Sequence, residues 1–306
     1  MKTTKIINHS LEADWQILQW FNPRFYNDFL VEAVVLPDVC PAGIIPNGTM
    51  AVVKKDWLSS FAFREAIGDI GCAMSHGVIV NFNLDLLPTA WNHLYRKLKG
   101  LNKTILGSGN HFIDACINQN NELVILVHVG SRMTSPEKKE FNYNYDYQNY
   151  LNRAFENHAE IWDCIQEILG DYKDLIVLPH DTVIHDGGFM VLRKGVTHSP
   201  VNAPILIASS FDDVITLGKA NQGITEIGCS MSHGTGRCRS RGEAKEVEID
   251  QKSLRQRIII PDELDDKSWR LESPIHYRRS EDILQKIDSF IQVTDQLLPI
   301  AFMGGF

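Results

Sequence analysis

Short β-rich runs recur along almost the whole chain: Glu32–Leu36, Met50–Lys54, Gly77–Phe82, Glu122–Val129, Leu175–Leu178, Phe189–Leu192 and Pro204–Ala208. Runs of this length and composition read as strands. Between them stand two clear helical stretches. Leu151, Ala154, Phe155, His158, Ile161, Trp162, Ile165, Ile168 and Leu169 share one 3.6-period face, and Gly170 stands where a glycine cap belongs. Ile283, Leu284, Ile287, Phe290, Ile291, Thr294, Leu297 and Leu298 repeat that spacing, with Ser280 placed as N-cap and Glu281 and Asp282 at the positive end of the dipole. Strands and helices intermix without strict βαβ alternation, so the expected fold is a mixed α/β (α+β) one: a single compact body, residues 1–306, with central β-sheets flanked by helices. The 306 residues with 44% apolar content are ample for a core without staples.

Charge narrows the function classes. Thirty basic against 38 acidic residues leave a net −8, which excludes a basic glove for nucleic acid while leaving room for a local basic patch. The first ten residues carry two Lys and no apolar stretch, and no apolar run approaches the ~18 residues of a membrane helix. Six unpaired-looking cysteines, at 40, 72, 116, 164, 229 and 238, suit a reducing compartment. A cytoplasmic location without membrane contact is the expectation.

Five segments carry chemistry. In Gly68-Asp69-Ile70-Gly71-Cys72, glycines flank a carboxylate and a thiol three residues apart, which suits a tight turn aiming both at one point. Gly107-Ser108-Gly109-Asn110-His111-Phe112 is a second glycine turn ending in a polar pair. His128-Val129-Gly130-Ser131-Arg132 ends an apolar strand, and His185-Asp186-Gly187-Gly188 precedes a short one. Glycine-adjoining residues at strand ends are where ligand-binding groups collect. Asp69, Cys72, His111, His128 and His185 together make a mixed O/S/N donor set, enough for two metals sharing a thiolate. Donor preference alone admits Zn²⁺ as readily as Mn²⁺. The fifth segment is Cys229-Ser230-Met231-Ser232-His233-Gly234-Thr235-Gly236-Arg237, continuing to Ser240-Arg241. Its glycines let backbone N–H groups approach an anion, its arginines suit phosphate, and a neutral His233 nitrogen is a nucleophile for a phosphoryl group.

In order, these motifs resemble the RtcB-type RNA ligase family. Leu36-Pro37-Asp38-Val39 and Pro46-Asn47-Gly48-Thr49 resemble its early segment, and Arg193-Lys194-Gly195 with Thr197 falls between His185 and the His233 motif as the family order requires. The resemblance implies an RtcB-like catalytic domain that uses GTP and two Mn²⁺ ions. His233 would be the nucleophile that takes GMP. Asn110 would hold a nucleotide phosphate, with Asp114, Ser209, Ser210, Ser232, Gly234, Thr235, Gly236 and Arg237 around the nucleotide. Asp69, Cys72, His111, His128 and His185 would hold the metals. The implied substrates are RNA ends carrying a 3′-phosphate or 2′,3′-cyclic phosphate and a 5′-hydroxyl, as in tRNA splicing and RNA repair.

The chain departs from the family pattern at several of these places. Cys40 stands for a usual His, Ala73 for Gly, Val129 for a small residue and Asp186 for Asn. Asp114 stands for a Glu, Ala208-Ser209-Ser210 for Pro-Gly-Ser, His158 for Arg, and Gly304 for a Lys near the nucleotide. Alternatives within enzymes are a metal-dependent phosphoesterase or a nucleotidyl transferase with altered nucleotide preference; outside them, a non-catalytic RNA-binding relative. Arg193, Lys194, Arg237, Arg239 and Arg241 form the candidate phosphate patch. Tyr143, Tyr145, Tyr147 and Tyr150 are assigned to packing.

Overall fold

The structure, a computed structural model, describes residues 4–59, 66–101, 111–131, 143–265 and 270–304. Strands are numbered in chain order. A five-stranded sheet runs β1 (Lys5–Asn8), β2 (Leu30–Cys40), β3 (Asn47–Lys54), β9 (Phe189–Lys194), β8 (Thr182–Asp186); β1 and β2 are parallel and the other pairs antiparallel. A seven-stranded antiparallel sheet runs β11 (Pro204–Ile207), β12 (Ile215–Ala220), β14 (Ile291–Gly304), β5 (Phe112–Ile117), β6 (Leu123–Val129), β4 (Ala73–Ile79), β7 (Tyr172–Pro179). A small ribbon of β10 (Val196–His198) and β13 (Ser230–Ser232) joins the two. The fold is mixed α/β, as the interspersed elements imply; six of the seven β-rich runs fall wholly or largely within strands, and Gly77–Phe82 is strand only as far as Ile79. Among the described residues no helix is long and apolar enough to cross a membrane.

The long helix forms as its periodicity predicts, over Tyr143–Leu169, and ends at Gly170 with a left-handed φ of 96°. Its buried face, with Ile161, Trp162, Ile165 and Leu169, packs beside Trp91, Leu94 and Leu98 of the helix Leu87–Gly100 onto the seven-stranded sheet. Phe155 stays exposed at the edge of that face. Tyr150 is buried, and the Tyr147 hydroxyl bonds Val183, in keeping with packing; the Tyr143 and Tyr145 side chains lie outside the described ones.

The second helix is shorter than its spacing suggests. It covers Ser280–Ile287, and residues 291–304 are instead a 14-residue strand. Ile291, Val293 and Thr294 are β-branched, Pro299 lacks an amide hydrogen, and β14 is paired on both sides, by β12 and β5. Tertiary pairing therefore overrides a local helical period. Nor is Ser280 the N-cap. It is the first helical residue, and its N–H (2.8 Å) and hydroxyl (3.0 Å) donate to the Asp213 carboxylate, which caps the helix from another loop.

One buried polar chain ties the long helix to the sheet. Trp162 Nε1 donates to Ser75 Oγ at 2.8 Å, and that hydroxyl lies 3.1 Å from His158 Nδ1. His158 Nε2, 3.1 Å from the Val129 carbonyl, donates to it. The chain closes when His158 is neutral, and burial indeed lowers His158 to about 4. His76, also buried, is lowered to about 4.

Two predictions follow from this packing. Trp162→Ala is expected to cost about 3–5 kcal/mol, read from denaturant unfolding, because it empties a large core site and removes the donor to Ser75. For His76 and His158 the unfolded chain binds protons near pH 6.5 that the folded chain refuses until about pH 4. Their contribution to stability is therefore complete above pH 6.5 and is lost as pH falls toward 4. The melting temperature should decline across that window, and less steeply in His158→Gln.

Candidate active site at the sheet ends

Adjacent antiparallel strands begin and end at the same sheet edge, and this geometry gathers the donors. His111 immediately precedes β5, His128 is next to last in β6, Cys72 immediately precedes β4, and one histidine not singled out from sequence, His180, immediately follows β7. These are four neighbouring strands in the order β5-β6-β4-β7, with Phe112 opposite His128 and Ala73 opposite both Val129 and Pro179. The backbone bond from His180 N–H to the Cys72 carbonyl (2.9 Å) extends the ladder into the site.

The resulting distances are short. Cys72 Sγ lies 3.4 Å from His111 Nε2 and 3.3 Å from His128 Nε2, and the latter is 3.3 Å from His180 Nε2. Asp69 Oδ2 approaches His111 Nε2 to 3.5 Å. Two donor groups result, Asp69–Cys72–His111 and Cys72–His128–His180, which share the thiol. The four His and Cys side chains are buried and Asp69 is half-buried. Burial, with further repulsion from His233, His128 and His111, holds His180 well below the usual imidazole range, so its ring is neutral and able to ligate.

The turn that carries Asp69 is built as its glycines imply. Cys72 N–H donates to the Asp69 carbonyl at 2.9 Å, and Gly68 and Gly71 have φ of 97° and 77°. Asp69 Oδ1 accepts from the Ser131 N–H (3.2 Å) and hydroxyl (2.9 Å). A Cβ on Gly130 would fall 2.1 Å from Asp69 Oδ2, so only glycine permits the approach. Asn157, from the long helix, donates to the Gly130 (2.8 Å) and Ser131 (3.1 Å) carbonyls and holds this segment from behind.

His185 does not enter the cluster. It lies exposed on β8, and the Gly187-Gly188 beside it turn the β8–β9 hairpin, with Gly187 at φ 58°. Its neighbouring glycines therefore serve a turn. The rule that strand-end histidines gather at sites holds for His180, two residues beyond the run Leu175–Leu178. The residue after the clustered histidine is accordingly Asp181, and burial pushes its carboxyl up to about 7.

His233 sits where the two large sheets meet. It follows β13, and its loop is tied to the end of β11 by Ala208 N–H to the His233 carbonyl (3.1 Å) and Thr235 N–H to the Ala208 carbonyl (2.9 Å). Its Nδ1 is 2.6 Å from the Gly195 carbonyl and 3.0 Å from Asp38 Oδ2. Both partners are acceptors, so Nδ1 carries the hydrogen and, in the neutral ring, Nε2 keeps its lone pair. Burial lowers the imidazole's pKa, and Asp38, with the Asp181 charge and the Gly195 carbonyl, more than offsets that, leaving it raised. Asp38 is fully buried and also accepts from Ser232 Oγ at 2.9 Å. Asp181 accepts the Gly195 N–H at 2.6 Å, which fixes the carbonyl that meets His233. The His233 ring stacks on His180 with centroids 4.5 Å apart.

A cavity of about 710 Å³ opens in front of His233 and His128. Asp114, Ser209, Ser210, Gly234, Thr235, Gly236 and Arg237 line it, while Ser232 lies buried beneath. Asp114 is 1% exposed, and burial raises its carboxyl well above the usual range. Arg237 is engaged by the protein, donating to the Leu271 carbonyl (2.9 Å), Tyr277 (3.0 Å) and Glu272 (3.4 Å). A Cβ on Gly304 would lie 2.7 Å from the Phe302 ring and 3.0 Å from the His111 carbonyl, so Phe302 fills the room a side chain there would need. Of the candidate phosphate patch, Arg193 and Lys194 are buried: Arg193 donates to Ser230 and to the Gly228 carbonyl, Lys194 to the Ala42 carbonyl. Arg237, Arg239 and Arg241 remain at the cavity. Asn110 and Arg132 lie outside the described residues.

Over residues 138–305, more than half of the chain, the sequence matches the family model described as tRNA-splicing ligase RtcB. The chain belongs to the RtcB family. The matched segment contains His180, Asp181 and His233, whereas Asp38, Asp69, Cys72, His111 and His128 precede it. No curated protein matches the chain.

The donor set separates His180 from His185 as a ligand. Purified protein loaded with divalent metal is expected to hold two ions, one per donor group, with Cys72→Ala losing both and His180→Ala at least one. His185→Ala should retain both. Metal analysis by mass spectrometry checks this.

Proposed function

We propose that this protein is an RNA ligase that joins a 3′-phosphate or 2′,3′-cyclic phosphate end to a 5′-hydroxyl end through a covalent histidine–GMP intermediate. The observation that carries the reading is the setting of His233. Its Nδ1 faces Asp38 and Gly195, its Nε2 carries the lone pair in the neutral ring, and its ring stacks on a member of a shared-thiol donor cluster at the mouth of a cavity. A structural metal site requires no such histidine.

The donors fit two divalent cations, taken as Mn²⁺ from the family, with Asp69, Cys72 and His111 holding one and Cys72, His128 and His180 the other. Bound cations supply charge neutralisation and Lewis-acid polarisation of phosphoryl oxygens. His233 Nε2 attacks the α-phosphorus of GTP; the P–N bond forms as the bond to pyrophosphate breaks. Asp38 keeps the imidazole in the attacking tautomer and stabilises the positive charge that develops on it. An oxygen of the RNA 3′-phosphate then attacks the GMP phosphorus and releases His233. Finally the 5′-hydroxyl attacks the activated 3′-phosphorus, forming the phosphodiester and expelling GMP. A cyclic phosphate is first opened by water. That Asp114, Ser209, Ser210 and the Gly234–Arg237 loop line the cavity supports their assignment to the nucleotide. Because the site takes Asp38 and Asp69 from one side of residue 138 and His180 and His233 from the other, we read residues 1–306 as one catalytic domain, working in the cytoplasm.

With Mn²⁺ and α-labelled GTP, wild-type protein is expected to acquire an acid-labile label that His233→Ala and Cys72→Ala lose, and Asp38→Asn to label at least tenfold more slowly, a loss of roughly 1.4 kcal/mol. Label from ATP alone would point to a nucleotidyl transferase with changed base preference. No label, with metal bound, would replace the ligase reading by a phosphoesterase or a non-catalytic relative.

A further inference from the structure

The cavity has two unlike walls. On the seven-stranded sheet stand half-buried Phe112 and the buried Asp114 and Phe302, the side that suits a mononucleotide. The opposite wall is a rim. Gln16 and Trp20 stand four residues apart on one flank of the short helix Asp14–Trp20, Glu12 lies in the turn just before it, and all three line the cavity half-buried. The next positions on the helix, Trp15, Leu18 and Gln19, face solvent. The flank is held firmly. Arg278 donates to Glu12 Oε1 at 2.7 Å and to the Arg237 carbonyl at 3.0 Å, which joins it to the loop that carries the nucleophile. Trp20 is also braced by the buried cluster of Phe21, Phe25 and Trp57.

A mononucleotide can be enclosed, but a polymer end must leave the cavity, and it has to pass a rim. A fixed, half-exposed indole on a cavity that guanidinium groups also line, Arg239 donating to the Ile275 carbonyl and Arg241 3.5 Å from Glu272, is a combination that holds single-stranded nucleic acid, by stacking on bases and by charge on the backbone. We propose that Trp20, with Gln16 beside it, is the stacking platform for the terminal base of the RNA 3′-phosphate end. Trp20 is thus a substrate-positioning residue. The inference rests on the RNA reading given above.

The test is binding of a fluorescein-labelled single-stranded RNA ending in a 3′-phosphate, measured by anisotropy on the full chain at fixed salt. Trp20→Ala is expected to weaken binding roughly tenfold and Trp20→Phe to restore most of it. The same RNA with an abasic terminal nucleotide should bind wild type and Trp20→Ala alike. An abasic RNA that still distinguishes the two proteins, equal binding of the intact RNA by both, or a wild type that binds no RNA would each overturn the proposal. Nucleotide labelling is not part of this readout, so failure of the histidine–GMP route would leave the result for Trp20 standing.

Discussion

The site depends on strand register. Four neighbouring antiparallel strands, β5, β6, β4 and β7, deliver His111, His128, Cys72 and His180 to one sheet edge, and the ladder's hydrogen bonds set the spacing between them. Because a strand's side-chain period is two, a slip of one residue on any of them would turn its donor to the opposite face. The packing of the long helix onto the sheet makes that slip costly. Asn157 and His158 bond the backbone at Val129, Gly130 and Ser131, so the helix fixes the register of the strand that carries His128.

A second constraint brings His233 to this edge. The ribbon β10–β13 bridges the two large sheets, and a polar path crosses it: Asp181 accepts from the Gly195 N–H, the Gly195 carbonyl accepts from His233, and Asp38 Oδ2 lies 3.0 Å from the same His233 nitrogen. A carboxylate as deeply buried as Asp38 is tolerated only when paired, and here it has both His233 and Ser232. The backbone also closes around it. A Cβ on Gly236 would lie 2.3 Å from the Asp38 carbonyl oxygen, and Gly236 has φ 72°, so the glycine of the His233 motif serves the approach of two chain segments.

Much of this was legible in the residues. Glycines flanking Asp69 and Cys72 announce a tight turn, and that turn forms. The apolar period of the long helix survives because its buried face meets a sheet along its length. The C-terminal period fails after Ile287, because pairing on both sides by β12 and β5 outweighs a helical spacing of β-branched residues. Asp38 was visible only as part of a family-like segment; its role depends on His233, 195 residues later in the chain. Gly187 and Gly188 made His185 conspicuous, whereas His180 carries no flanking glycine.

The sequence alone determined the chemistry available: a thiol, a carboxylate and histidines at strand ends, a glycine-rich histidine motif, and enough apolar surface for a mixed α/β core. Those properties are local, because turn chemistry and side-chain type act within a few residues. Which histidine completes the donor cluster, which carboxylate meets His233, and what wall faces the cavity were decided by tertiary structure. Each of these is a contact between segments far apart in the chain, set by sheet order and register, and no local pattern encodes such a contact.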